Sequence, residues 1–351
     1  MASTKYLAED GVRRLWAAIE QKFIDADELA AMLANIPFEP GTIQMEALTM
    51  PEIDAITGYS EIIHSTEELL NKFNSDVPKI AVTIGEDLNL DSTISIEEGK
   101  TVIVTLEKEI NNPTKNTFVV NGGTLVINGE GGSITGASQA VVVNSGSATI
   151  NGGTYTTTSA GQVLTSVGSG AELTLNNVTA NGQEFAAMAF DGATLNINGG
   201  EFTTNDNAVF GTNGTAGRGG NTIVIKDAKI NGHIQSNGYE ACGIYIANND
   251  TVVIEGNTEI NVDGGCGILM RGGDVTVKSG VKITTTAADQ PGWVGDNKTK
   301  MSQSGIIYHE SANYPGKAGM KLTVEDGVIF DVAGEDIEIL SNEATPNVHI
   351  G

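Results

Sequence analysis

Apolar and polar residues alternate through a short phrase that recurs along most of the chain: TVIVT, TLVIN, SATIN, ELTLN, TLNIN, TIVIK, TVVIE, DVTV and KLTV. The middle outward positions are Ile103, Val126, Thr149, Thr174, Asn196, Val224, Val253, Thr276 and Thr323, spaced by 23, 23, 25, 22, 28, 29, 23 and 47 residues. The last spacing is close to two units, and a period of this size marks a repeat architecture. Apolar residues flank each position, as in Val102 and Val104, Leu125 and Ile127, Leu195 and Ile197, and Ile223 and Ile225. A period of two predicts strands with one buried face.

Each phrase is followed by a turn bearing Gly or Asn and a second short strand (SIT, TYTTT, EFTT, EINV, VKITTT, VIFDV). Another turn leads to a third (AVVV, QVLTSV, AVFGT, CGIYIA, CGILMR, GIIYHE). Three strands in about 23 residues leave no room for pairing within a unit, so each must pair with its equivalents above and below. The expected architecture is mainly β: a parallel β-helix of nine to eleven coils over residues 77–351, right-handed because parallel crossovers are. Cys242 and Cys266 lie 24 residues apart in matching contexts and should stack as a buried thiol ladder. A protein made in the cytosol keeps such thiols reduced.

Residues 1–76 follow a helical period instead. Val12, Leu15, Trp16, Ile19 and Phe23 form one stripe. A second helix starts at an Asp25 cap, carries Leu29, Met32, Leu33 and Ile36, and ends before Pro37. Residues 1–37 are thus expected to be a helical anchor, and 38–76 a linker with a capping helix. The run Ser65-Thr66-Glu67-Glu68 spells a capping box before LLNKF and predicts a helix near 66–74. A helix there would cover the apolar end that a solenoid leaves open.

Composition narrows the function. The formal net charge is −25, from 19 basic and 44 acidic side chains. Such a surface repels nucleic acid and anionic membranes. The start MASTKYLAEDGV has no long apolar run, which predicts neither a secretory signal nor a membrane span.

The solenoid pattern resembles the pectate-lyase-like β-helix superfamily over about three-quarters of the chain. That fold is shared by lyases, glycoside hydrolases, adhesins and phage tailspikes, so the likeness concerns architecture. The leading segment, with Tyr6, Leu7, Gly11, Val12, Leu15, Trp16 and Ile19, resembles that of virion appendage proteins in phages and prophages of gut bacteria. The phrase ALTMPEIDAITG resembles a second element of the same proteins. The resemblance implies a head or tail fibre made in the host cytoplasm and assembled into the virion. Its anchor residues would be Tyr6, Leu7, Val12, Leu15, Trp16, Ile19, Phe23, Leu29 and Leu33. They would grip a capsid or tail protein or bundle the chain into a homotrimer, while the β-helix meets host-surface glycans.

Candidate chemistry is sparse. The Asn-Thr-Asp, Asp-Asp, Gly-His-Gly and Arg-Ile-Lys elements of the superfamily's hydrolases are missing. Arg218, Arg271 and Lys226 stand alone and are read as solvated residues. The four histidines share no metal-ligand spacing, so neither metal nor cofactor is expected. Two lengthened turns, AADQPGWVGDNKTKMSQ and SANYPGKAG, flank the strand GIIYHE. They would gather Trp293, Tyr308, His309 and Tyr314 with Asp289, Asp296 and Glu310 into a glycan-binding surface, because ring faces pack on sugar C–H groups and carboxylates accept from hydroxyls, or else drape over the solenoid side with Trp293 plugging a gap. The alternative is a tailspike-type polysaccharide depolymerase using the loops of 286–319. Shorter insertions at 211–220 and 231–241 lengthen neighbouring coils, on the same face or another, since the sequence does not specify the side.

Overall fold

The computed structural model describes residues 4–6, 45–47, 60–159, 161–233, 242–286, 304–309, 314–333, 337–341 and 346–351. Within them the chain forms a parallel β-solenoid of about ten turns. Each strand pairs in parallel with the strand one turn on, so three sheets run the length of the rod. Every outward residue read from the repeat falls into a single register column. Ile103 pairs with Val126, Val126 with Thr149, Thr149 with Thr174, and so on through Thr276 and Thr323. The column extends one coil further at each end, to Ala81 and His349.

The inward residues on either side build the core. Val102, Leu125, Leu173, Leu195, Ile223, Val252, Val275 and Leu322 are at most 1% exposed, and so are their partners two residues on, apart from Val324 at 3%. Each such side chain contributes about 1.5–3 kcal/mol on burial. Aromatic rings fill the wider places: Tyr155, Phe202 and Phe210 are fully buried. Cys242 stands in register with Cys266, both buried and unoxidised, as the spacing requires.

The first corner, between the first and second strands, explains a sequence rule. The residue after the first strand is left-handed in five successive coils: Gly152 at φ 70°, Asn177 at 52°, Gly199 at 71°, Asp227 at 54° and Gly256 at 67°. Only Gly, Asn and Asp tolerate that conformation cheaply, and only those three occur there. Just before this corner an amide ladder climbs the outer surface. Asn198 donates to Asn176, Asn176 to Asn151 and Asn151 to Asn128, at 2.9, 2.9 and 3.0 Å. Higher up the same column charges of alternating sign take over, with Lys278 bonded to Glu255, and past the corner Lys229 bonds Glu201. Exposed pairs of this kind add about 0–1 kcal/mol each, and they favour one register over a slipped one.

The predicted capping helix is present as α1, Thr66–Phe73. Ser65 accepts from the Glu68 N–H, and the Glu68 carboxylate reaches back to the N–H of His64. Leu69 and Phe73 are buried, and the Phe73 ring centroid lies 6.3 Å from that of Phe118, so the helix closes the lower end of the core. One boundary moves. The strand Glu61–Ile63 precedes α1 yet pairs in parallel with Val82–Ile84, so the solenoid begins upstream of residue 77. The sheet recruits this strand because α1 folds the chain back onto its end.

The anchor helices of 8–36 lie outside the described residues. Thr4–Tyr6 forms a parallel strand pair with Met45–Ala47, which places backbone pairing inside the stretch read as a linker.

Candidate functional site

The third corner, where each third strand gives way to the next coil, holds the densest polar chemistry among the described residues. Strands leading into it are buried on both faces: Cys242–Ile246, Cys266–Met270 and Ser304–Tyr308 contain no residue even half exposed. Tyr308 is 1% exposed and donates through its hydroxyl to the Met320 carbonyl at 3.3 Å. His309 is 5% exposed, and its N–H donates to the Met270 carbonyl at 2.9 Å. Neither presents a ring face to solvent, so neither supplies the sugar-stacking surface expected of it. The strand is covered on both faces, so Tyr308 is buried along with Ile306 and Ile307.

Tyr314 is the expected residue that does reach the surface, being partly buried. It begins the short 3₁₀ turn Pro315–Gly319 and accepts a hydrogen bond from the Tyr245 hydroxyl at 3.1 Å. A Cβ on Gly214 would come within 2.7 Å of the Tyr314 ring, so the insertion at 211–220 and the turn after Tyr314 meet on one face. The ring also covers Arg271, whose guanidinium carbon lies 4.7 Å from its centroid. Trp293, Asp289, Asp296 and Glu310 lie outside the described residues.

Of two arginines read from sequence as isolated and solvated, Arg218 is partly exposed but paired, and Arg271 is buried. Arg218 forks onto Asp191, Nε to Oδ1 at 2.7 Å and Nη2 to Oδ2 at 2.8 Å, over the Phe190 ring. This bond holds the Asp191 carboxyl below the usual carboxylate range. Arg271 is 4% exposed. One sequence signal marks it: it directly follows the fully buried run CGILM, at the place where the preceding coil has Ala247.

Beneath these residues runs a buried polar ladder. Asn221 accepts from the N–H groups of Gly192 and Ala193, both at 3.0 Å, and donates to Asp250 Oδ1 from its amide at 2.7 Å and its N–H at 3.0 Å. Asp250 is 1% exposed, and its Oδ2 has no partner. Burial pushes its carboxyl up, opposed by hydrogen bonds from Thr212, Asn221 and Asn248.

A pH dependence follows. The folded state holds the Asp250 proton more tightly than the unfolded chain, so this group's penalty grows as pH rises through its elevated folded value. Stability should therefore rise as the protein is taken from neutral into mild acid. Below about pH 4 the gain reverses, because Asp191 and Glu201, whose values are lowered by Arg218 and Lys229, lose their bonds. Melting temperatures between pH 4 and 8 should show this rise in the native protein and a flatter profile in Asp250→Asn.

At the second corner, His233 Nδ1 lies 3.1 Å from Asp263 Oδ2, and Thr286 donates to the same carboxylate. The carboxylate stands between the other two, so the imidazole does not reach the hydroxyl. This arrangement lacks the nucleophile-to-base contact of a catalytic triad.

No protein-family model matches the chain, and comparison with curated proteins finds no match either, so any functional reading rests on the residues and their geometry.

Proposed function

We propose that the chain is a non-enzymatic appendage of a bacteriophage virion, a head or tail fibre whose N-terminal helices attach it to a capsid or tail protein and whose solenoid carries host-surface or glycan adhesion. The observation that bears most weight is the coil-by-coil repetition of the outward face. About ten coils rising about 4.8 Å each make a stiff rod of about 48 Å. Its first sheet shows Thr149, Thr174 and Asn196 in one column beside the Asn128 to Asn198 ladder. Repeated hydroxyls and amides suit weak contacts to a repeating polymer, where many copies compensate for low single-site affinity. The acidic surface keeps crowded copies apart. The resemblance of residues 6–19 to virion appendage proteins supplies the anchor.

Trp16→Asp tests it. A charge placed in the apolar stripe should disrupt docking at the cost of a buried, unpaired carboxylate while leaving the solenoid's melting temperature unchanged. Expected is loss of the protein from purified particles, read by immunoblot. Mass photometry of the same variant then separates the two kinds of attachment. A trimer falling to monomer assigns the stripe to self-assembly, and a monomer in both assigns it to another virion protein. Normal incorporation of Trp16→Asp would overturn the anchor. Cleavage of capsular or pectic polysaccharide by the purified protein would overturn the non-enzymatic reading in favour of the depolymerase.

A further inference from the structure

Arg218 and Arg271 occupy the same corner, each against an aromatic ring, and are held differently. Arg218 has both a ring, Phe190, and a carboxylate, Asp191, which takes its Nε and Nη2 as a fork. Arg271 has the ring, Tyr314, at the matching distance of 4.7 Å against 4.9 Å. Among the described residues no carboxylate pairs with it, and its Nε is buried without a hydrogen-bond partner. It is also far the more buried, 4% exposed against a 39% exposed side chain for Arg218.

A guanidinium cannot relieve its burial by losing its proton. The Tyr314 ring offsets only part of the lost hydration, and the fork of N–H donors matches a carboxylate in the plane. In a chain of net charge −25, a buried cation that no described carboxylate meets is poised for one from outside. The rim is polar: Thr215 and Asn249 are exposed, and Asn248 ties the rim together by donating to the Asn213 and Thr215 carbonyls at 3.0 and 2.8 Å.

We infer that Arg271 is the recognition residue of a site for a carboxylate-bearing sugar, of the uronic acid class. This inference deepens, and rests on, the glycan-adhesion reading. The sugar carboxylate takes Nε and a terminal nitrogen of Arg271 as Asp191 does on Arg218, and the rim hydroxyl and amides meet the ring hydroxyls. Tyr314 must first move aside. Its ring is held by the hydroxyl-to-hydroxyl bond, by packing on the core and by the Arg271 contact itself, which the incoming carboxylate replaces, and the turn it begins has no side-chain cap.

The test is isothermal titration calorimetry of the full chain with D-glucuronate, D-glucose and acetate. Glucuronate should bind, with glucose and acetate at least tenfold weaker. Arg271→Met should lower glucuronate affinity at least tenfold, with a melting temperature equal to or above the native one because an uncompensated buried charge is gone. Should that variant fail to fold, Arg271→Lys keeps the charge and loses the fork, and it should show the same tenfold loss in a folded protein. Unchanged binding by either folded variant overturns the assignment. Glucose binding as well as glucuronate overturns the carboxylate, and acetate binding as well overturns the sugar. If glucuronate does not bind while host-surface polysaccharide still retains the protein, Arg271 is excluded and adhesion stands. If neither binds, the adhesion reading falls as well.

Discussion

Phe202→Ala is expected to destabilise the solenoid by about 3–5 kcal/mol, read as a shift in the urea unfolding midpoint. Phe202 is on the second strand of the sixth coil, in register with Ala180 on one side and Ile230 on the other. Its ring lies 4.8 Å from that of Phe210 at 62°, an edge-to-face contact between two fully buried side chains. The small Ala180 leaves space that the Phe202 ring fills, so truncation removes apolar burial and opens a cavity that a continuous hydrogen-bonded ladder cannot close. Coils touch only their neighbours, so damage in the sixth uncouples the lower half of the rod from the upper. A second unfolding transition should therefore accompany the shift. Ile329→Ala, at a position 53% exposed, serves as the control and should move the midpoint by less than about 0.5 kcal/mol. Equal midpoints for the two variants would contradict the packing described.

Asn221→Ala should cost about 2–4 kcal/mol, and Asn221→Asp more at neutral pH. Asn221 is 1% exposed and serves three coils at once. Its side-chain oxygen caps the N–H groups of Gly192 and Ala193 below, and its amide meets Asp250 above. Alanine leaves the Gly192 N–H without its acceptor and takes one donor from a buried carboxylate, and each orphaned group costs about 1–3 kcal/mol. Aspartate retains the acceptor but sets a second carboxylate against Asp250, where the present contact is 2.7 Å. Two such groups cannot both ionise cheaply. Thermal melts should rank native above Ala above Asp at pH 7, and the Asp variant should recover most steeply on acidification. If the Asp variant melts with the native protein at pH 7, Asp250 is already protonated there.

Much of the architecture was legible because its signal repeats. A period of two resolves each strand, and a period near 23 says which residues stack, so the outward column from Ile103 to Thr323 and the Cys242–Cys266 pair could be read before any coordinate. The α1 helix was legible for a local reason, since Ser65 and Glu68 satisfy the first turn by themselves. The strand Glu61–Ile63 was not: three residues carry no period, and they are a strand only because Val82–Ile84 offers an edge.

The site divides along the same line. Sequence singled out Tyr314 and the lengthened turns around it, but the side taken by the 211–220 insertion came from the fold, which sets Gly214 against the Tyr314 ring. It misjudged Tyr308 and His309 because a third strand buried on both faces shows no alternation to say which residues look outward. It misjudged Arg271 because isolated charges are usually solvated, and only the fold sets Tyr314 over that guanidinium from a turn more than forty residues away. By itself, then, the sequence determined what repetition encodes: strand, coil, register, corner chemistry and the acidic surface. Tertiary structure decided what happens where the repeat is interrupted, at the Asn221–Asp250 ladder and the Arg271–Tyr314 contact. Those contacts join residues of different coils whose spacing varies with each insertion, and no fixed period can announce them.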